Sequence, residues 1–257
     1  TLGEGITVDS DTSILYAHDG GQIVIDGAEL KSADSPYALA YVEGNSSSIT
    51  INSGSLELTG VDRVTLDVDK EASAVINGGR VYSGKSSAIA ARNAGTVSIC
   101  NDAVVETAAT EAKAAAYSMD GGVINVNGGT VQFAGENTVS AALVAGKAST
   151  VKVTAGKVDS VAKTADNAEI ILTGGTFGSL SACSYVAAGE KIEIELTKDT
   201  KLTEAIKVNG DVKITGASAV TIDAKGQTDA FEVGADAKLT LGEGITVDSD
   251  TSILYAH

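Results

Sequence analysis

Paired carboxylates are the residues with the clearest capacity for chemistry. They are Asp67 with Asp69, Asp9 with Asp11, and a repeat of the second pair at Asp248 with Asp250. Along a strand, side chains two residues apart lie on one face at about 6.6 Å, and a Ca²⁺ ion bound there would need further oxygen ligands from a neighbouring segment. We favour a solvated acidic face, because acidic charge keeps an extended protein soluble. We therefore expect no metal ion and no other cofactor.

Residues suited to catalysis are scarce. His18 and His257 occupy the same position of a repeated segment, so the chain has one distinct histidine position, and there is no Trp to stack on a sugar ring. These features argue against a Ser-His-Asp triad and against a His-based metal site. The chain also lacks the Asn-Thr-Asp, Gly-His-Gly and Arg-Ile-Lys clusters of pectin hydrolases, and its arginines are Arg63, Arg80 and Arg92. We predict that the protein is not an enzyme.

The composition excludes two classes of partner. The 257 residues carry 34 Asp and Glu against 18 Lys and Arg, a net charge of −16, whereas a nucleic-acid backbone is bound by clustered Lys and Arg. No apolar run approaches the length of about 18 residues that a transmembrane helix needs. We expect neither nucleic-acid binding nor membrane insertion. With aromatic residues at 4%, the core must consist of Val, Ile, Leu and Ala.

A long repeat frames the whole sequence. Residues 1–18 read TLGEGITVDSDTSILYAH, and residues 240–257 read the same letters, an offset of 239 residues. An identical pair of this length indicates a tandem repeat with a 239-residue period. We predict one continuous domain over residues 1–257, which holds one period and the start of the next.

A shorter, degenerate repeat lies inside this period. Two apolar residues that flank one other residue recur, followed by Asn, Asp or Thr and often by Gly, as in Ile23–Gly27 and Ile124–Gly128. The spacing averages about 24 residues, and ten such units fill the period. This length is too short for helical hairpin repeats. It predicts an all-β fold, a right-handed parallel β-helix of about ten coils, with three strands per coil such as 22–26, 28–31 and 37–42.

The residue after each apolar pair is expected to lie at a turn. Stacking of the coils at about 4.8 Å would then align these residues into one ladder, in which Asn and Thr side chains bond to one another and to turn amides. The predicted ladder consists of Asp26, Asn52, Asn77, Cys100, Asn127, Thr154, Thr173, Thr197, Thr215 and Gly242.

The coil pattern resembles the right-handed, pectin-lyase-like β-helix family over the whole chain. In addition, Gly174–Phe177 with Tyr185–Gly189 resembles the GGTF…YVA-x-G signature of large surface repeat proteins of Gram-positive gut bacteria. The resemblance implies an extracellular or cell-surface location. It implies nothing about catalysis.

Together these features predict a structural protein, an extracellular β-solenoid rod, stalk or filament. Its partners would be further copies of itself, either in tandem in one chain or end to end between chains. The alternative is a cell-surface adhesin that binds a glycan or a host protein through the loops Ser32–Tyr37 and Ala134–Thr138. A polysaccharide lyase is the third possibility, disfavoured by the missing catalytic clusters.

Two details of the packing follow from the coil register. Cys100 and Cys183 lie three coils apart, about 14 Å, which exceeds the limit of about 7 Å between disulfide-bonded Cα atoms. We therefore expect two free thiols. Tyr16 and Tyr41 lie in adjacent coils and are expected to stack as part of the wall.

Overall fold

Alternating β-branched and polar residues build the strands of this protein, and every paired strand runs parallel to its neighbours. The computed structural model describes residues 1–10, 13–135, 140–180, 185–186 and 191–256. Within them there is no helix, and the strands stack into a solenoid of about ten turns. The predicted all-β parallel β-helix is thereby confirmed. The described part of the chain contains no helix that could span a membrane.

Each turn has three sides, which we call the first, second and third faces. The first face contains Leu2–Gly3, the beginnings of Gln22–Ser32, Ser48–Leu58, Val123–Phe133 and Thr150–Lys163, and Ser73–Ile76, Thr96–Ile99, Glu169–Leu172, Tyr185–Val186, Ile206–Val208, Asp229–Val233 and Ser252–Ala256.

The second face continues the chain around the first corner. It contains Thr7–Asp9, the later parts of the four long strands, and Arg80–Ser83, Val104–Thr107, Gly175–Leu180, Ile192–Leu196, Asp211–Gly216 and Lys238–Leu241.

The third face closes the turn. It contains Leu15–Ala17, Ala40–Glu43, Leu66–Asp69, Ile89–Arg92, Ala116–Met119, Leu143–Ala145, the ends of Thr150–Lys163 and Gly175–Leu180, and Thr200–Lys201, Val220–Asp223 and Ile245–Asp248. Its last three strands form a separate three-stranded sheet.

The core is a set of aliphatic columns that run along the stack. Ile25, Ile51, Ile76 and Ile99 lie in register on the first face and are fully buried. Burial of one such side chain contributes about 1.5–3 kcal/mol. The regular columns explain how a chain with so few aromatic residues fills its interior.

Glycine makes the corner between the first and second faces. The strands predicted at 22–26 and 28–31 are one strand, Gln22–Ser32, which bends at Gly27 with a φ of +100°. At the equivalent corner one coil later, Gly54 has a φ of +89°, and a Cβ there would lie 2.2 Å from the carbonyl oxygen of Ala28. Only glycine fits, because both its backbone conformation and its closeness to the preceding coil exclude a side chain.

The apolar pairs change face after Leu172. In the following coils the first face is formed by Tyr185–Val186, Ile206–Val208 and Asp229–Val233. The apolar pair of Ile192–Leu196 lies on the second face, because Gly175 is in register with Ile194. The same apolar alternation suits every face, so the sequence pattern alone does not distinguish them.

The two identical segments lie on different faces. Thr7–Asp9 pairs with Glu29–Lys31 on the second face. Its copy, within Ile245–Asp248, pairs with Val220–Asp223 on the third face. Leu15–Ala17 lies on the third face, and its copy, within Ser252–Ala256, lies on the first. The 239-residue period therefore spans about ten turns and one further face, and not the whole number of coils that the spacing predicts.

Candidate functional site

The predicted turn ladder is present as short hydrogen-bonded stretches. The Asn77 side-chain amide donates to Asn52 Oδ1 at 3.0 Å, and the Thr154 hydroxyl donates to Asn127 Oδ1 at 3.0 Å. Cys100 lies between these two pairs, with its backbone N–H bonded to the Ile76 carbonyl at 2.8 Å and its thiol free. These contacts tie neighbouring coils together at the corner after the first face.

The ten ladder residues do not form one column. A register shift places Asp26 opposite Ser53, whose hydroxyl lies 3.5 Å from Asp26 Oδ1. Thr173 keeps its place at the end of the first face and bonds to the Val153 carbonyl.

The last three members belong to the second face. Thr215 lies beside Glu195, Gly242 follows the strand that pairs with Asp211–Gly216, and Thr197 lies beyond the pair of Leu196 with Gly216. The ladder is divided because the apolar pairs that define it change face.

The carboxylates of Asp67 and Asp69 are covered and not solvated. The two residues are 9% and 6% exposed on the third face. Arg92, one coil further on, donates from Nε to Asp67 Oδ1 at 2.9 Å and from a second nitrogen to Asp67 Oδ2. Burial raises the pKa of Asp67, and the Arg92 hydrogen bonds oppose that rise. The prediction of a solvated acidic face is wrong for this pair. Arg92 supplies the opposite charge that allows Asp67 to be nearly buried.

Two tyrosines and a lysine surround the carboxylates of Glu43 and Asp69. The rings of Tyr16 and Tyr41 stack with centroids 5.6 Å apart, as predicted. The Tyr16 hydroxyl and the Lys70 ammonium both donate to Glu43, and these hydrogen bonds lower the pKa of Glu43 to about 2. The Tyr41 hydroxyl lies 3.1 Å from Glu43 Oε2 and 3.0 Å from Asp69 Oδ2, so its one proton serves two carboxylates.

We call this cluster the Tyr–Asp patch. It consists of Tyr16, Tyr41, Glu43, Asp67, Asp69, Lys70, Arg92 and Asn93. The Asn93 side-chain amide donates a hydrogen bond of 2.7 Å to Asp69 Oδ1, and burial raises the pKa of Tyr41. Every carboxylate of the patch accepts hydrogen bonds from a cation, a hydroxyl or an amide. The arrangement therefore binds four coils to one another and leaves no unpaired carboxylate to act as a base.

The other carboxylate pairs are dispersed. Asp9 is exposed, Asp11 lies outside the described residues, and Asp248 forms an ion pair with Lys225. Among the residues that the structure describes, no group of three or more His, Cys, Asp and Glu side chains could hold a metal ion. Cys183 and His257 also lie outside the described residues.

A second polar cluster lies on the second face, and the sequence pattern does not predict it. Arg80 donates to both Glu57 and Glu106, one coil on either side, and its guanidinium carbon lies 4.1 Å from the Tyr82 ring centroid. Gln132 donates to Glu106 Oε2 at 2.8 Å. Aligning outward positions between coils could have revealed it, because Glu57, Tyr82, Glu106 and Gln132 lie in register.

An open groove crosses the third face. Its volume is about 1350 Å³, and its lining includes Tyr117, Val144, Lys147 and Lys198. Of the two predicted contact loops, Ser32–Tyr37 is described, with Tyr37 73% exposed. Residues 136–138 of the loop Ala134–Thr138 lie outside the described part of the chain. The groove and the Tyr37 loop are two features suited to a ligand.

Both ends of the described stack present open strand edges. Thr7–Asp9 and Leu15–Ala17 each pair with one strand, and so do Ile245–Asp248 and Ser252–Ala256 at the other end. Large apolar side chains are exposed at these same ends: Ile6, Tyr16, Leu241, Ile253, Leu254 and Tyr255. Open edges with exposed apolar residues are surfaces on which a further strand can pair.

Comparisons with known proteins found no match to this chain. No protein-family model, no curated protein and no solved structure matches the chain, so what is established is the parallel β-solenoid fold itself.

Proposed function

We propose that the protein is a structural repeat module that forms a rod, stalk or filament by stacking coil on coil. The observations that carry the proposal are the stack of parallel coils, in which each strand pairs with its equivalents in the neighbouring coils, and the exact repeat of residues 1–18 at 240–257. A further copy would continue the same strand pairing, whether it follows in the same chain or belongs to another chain.

Stacking sets the dimensions of such a rod. Coils about 4.8 Å apart give about 50 Å for one 239-residue period. The buried columns and the Tyr–Asp patch join successive coils along the stack, so the unit behaves as a spacer of fixed length. This function needs no catalytic residue, and we assign the chain no enzymatic activity or cofactor.

We place the rod outside the cell or on its surface. The GGTF sequence at Gly174–Phe177 with Tyr185–Gly189 supports this location through its resemblance to surface repeat proteins of Gram-positive gut bacteria. The net charge of −16 supports it further, because an acidic surface keeps an extended rod soluble. The likeness to pectin-lyase-like β-helices is part of the same proposal and concerns the coil pattern.

An adhesin is the second candidate function, and the third-face groove favours it. Tyr117 offers an aromatic surface there, and Lys147 and Lys198 offer hydrogen-bond donors to a glycan. Binding of a glycan or host protein at this groove is compatible with a rod that carries it away from an anchor. A glycan array probed with the wild type and a Tyr117→Ala variant tests the adhesin role. Loss of signal in the variant supports it, and no signal with either protein removes it.

Negative-stain electron microscopy of concentrated protein tests the proposed rod. We expect unbranched particles about 20–30 Å wide, judged from the dimensions of stacked coils, with lengths that are multiples of about 50 Å. Single particles of one unit length at all concentrations would contradict assembly between chains. A synthetic chain of two periods, imaged in parallel, tests assembly within a chain, and a bent or collapsed particle would contradict it.

A further inference from the structure

The two copies of the repeated segment share a local conformation although they lie on different faces. Gly5 and Gly244 are equivalent positions, and their φ angles are +75° and +79°. Val8 lies in register with the buried Leu30 on the second face, and its copy Val247 lies in register with the buried Ile222 on the third. One sequence therefore folds in the same way on two different sides of the solenoid.

We infer that each 239-residue period rotates the rod surface by one face. Ten turns and one further face separate equivalent residues, so an array of periods presents each surface feature one face further round with every unit. The inference deepens the proposed function, on which its consequence for arrays rests.

Interchangeable faces make this rotation possible. Each face takes aliphatic residues two positions apart on its inner side, such as Leu15 with Ala17 on the third face and Ile49 with Ile51 on the first. The segment that supplies Leu15 and Ala17 supplies Leu254 and Ala256 on the first face, in register with Phe231 and Val233. Because the interior accepts the same pattern on every side, no rearrangement of the segment is needed.

The consequence concerns how an array shows its surface. Tyr16 belongs to the Tyr–Asp patch on the third face, and its equivalent Tyr255 lies on the first face. Because three faces close one turn, the patch and the groove beside it would return to the same face after three periods, a length of about 150 Å. The array would thus present the same surface in three directions.

Disulfide trapping in the chain itself tests the rotation. In a background with Cys100→Ser and Cys183→Ser, we would pair Thr221→Cys with Thr246→Cys, which are register partners on the third face. Adjacent parallel strands are about 4.8 Å apart, which is within disulfide range. We expect this pair to oxidise, as read by peptide mass spectrometry. The matched pair Thr7→Cys with Glu29→Cys, partners on the second face, reports the first copy and should oxidise as well.

A third pair represents the arrangement without rotation. If Ile245–Asp248 occupied the second face, as Thr7–Asp9 does, Thr246→Cys would lie beside Lys213→Cys. Oxidation of the 213–246 pair, or failure of the 221–246 pair where the 7–29 pair forms, overturns the inference.

Imaging of a two-period chain gives an independent readout. A gold label on Tyr37→Cys in each period of the cysteine-free background should appear twice, about 50 Å apart along the axis and on different sides of the rod. Two labels on one side would overturn the rotation while leaving the rod intact. If no rod forms at all, the proposed function fails. The disulfide pairs still show which face each of the two copies occupies.

Discussion

At the scale of single residues, the chain uses its few cations to join coils. Arg80 and Arg92 each bind carboxylates of neighbouring coils, and both lie near the wall of the solenoid rather than in open solvent. Asp67, which Arg92 binds, is nearly buried. Such a carboxylate is costly without its partner, so the loss of one guanidinium affects more than a surface ion pair would.

Replacement of Arg92 by Met should destabilise the fold. Asp67 would keep its burial and lose its cation, which costs several kcal/mol in a fully buried pair. Because one-third of the Arg92 side chain is exposed, we expect a smaller loss of about 2 kcal/mol, measured by urea unfolding at pH 7. Arg63→Met, at an exposed arginine, is the matched control and should change stability by less than about 0.5 kcal/mol. Equal effects of the two substitutions would contradict the role of Arg92.

Glu43 should make the fold sensitive to acid. Its pKa is lowered from 4.5 to about 2, so the carboxylate stabilises the folded state above about pH 4.5, and that contribution is lost as the pH falls towards 2. Asp67 acts in the opposite sense, because its raised pKa favours protonation in the folded state. We expect Glu43→Gln to lose less thermal stability than the wild type between pH 5 and pH 2.

The control for this pH dependence is Glu193→Gln. The Glu193 side chain is 78% exposed, and its distance to Lys213 is 3.8 Å. Its melting temperature should follow the wild type over the same range. A Glu43→Gln profile parallel to that of the wild type would show that the Glu43 hydrogen bonds do not contribute.

At the scale of strands and corners, the sequence predicts the architecture well and the assignment of faces poorly. The apolar alternation and glycine positions predict parallel coils, the first strand of each early coil and the corner at Gly27. They do not identify the face that a strand occupies, because all three faces take the same inward pattern. The change after Leu172 therefore cannot be read from spacing, and it divides the predicted ladder.

The Tyr–Asp patch was predictable only in part. Tyr16 and Tyr41 are expected to stack from their places in adjacent coils, and the structure shows this. The pairing of Asp67 with Arg92, 25 residues further on, depends on side chains that reach from one coil to the next, so neither residue indicates its partner by itself. The register of outward positions, once the coils are known, is the information that joins them.

The corner glycine offers a test at this scale. Gly54→Ala would place a Cβ 2.2 Å from the Ala28 carbonyl oxygen and would strain a φ of +89°. Gly226→Ala has the same strain, with a φ of +83°, and no atom within 4 Å. We expect the Gly226 variant to lose about 1 kcal/mol and the Gly54 variant clearly more, by about 2 kcal/mol or above, in urea unfolding. Similar losses of unfolding free energy for both variants would contradict the argument that the contact between Gly54 and the neighbouring coil excludes a side chain.

At the scale of the whole molecule, we expect the first and last described coils to mediate assembly. A solenoid has no closed surface at its first and last coils, and here each end exposes strand edges and apolar side chains. Natural sheet proteins protect such edges with charge, proline or a covering element. In the last described coil Ile253, Leu254 and Tyr255 are exposed, and we expect a further copy to cover them.

Sedimentation velocity of the wild type beside Leu254→Asp tests the central claim most directly. Leu254 is in register with the buried Phe231, so it lies on the inner side of the last coil, where a further copy would cover it. We predict that the wild type forms larger species as its concentration rises and that Leu254→Asp remains a monomer. Lys85→Asp, at an exposed residue several coils from either end, should behave as the wild type. A wild type that stays monomeric at high concentration, or a Leu254→Asp variant that assembles equally well, would contradict assembly through the open ends.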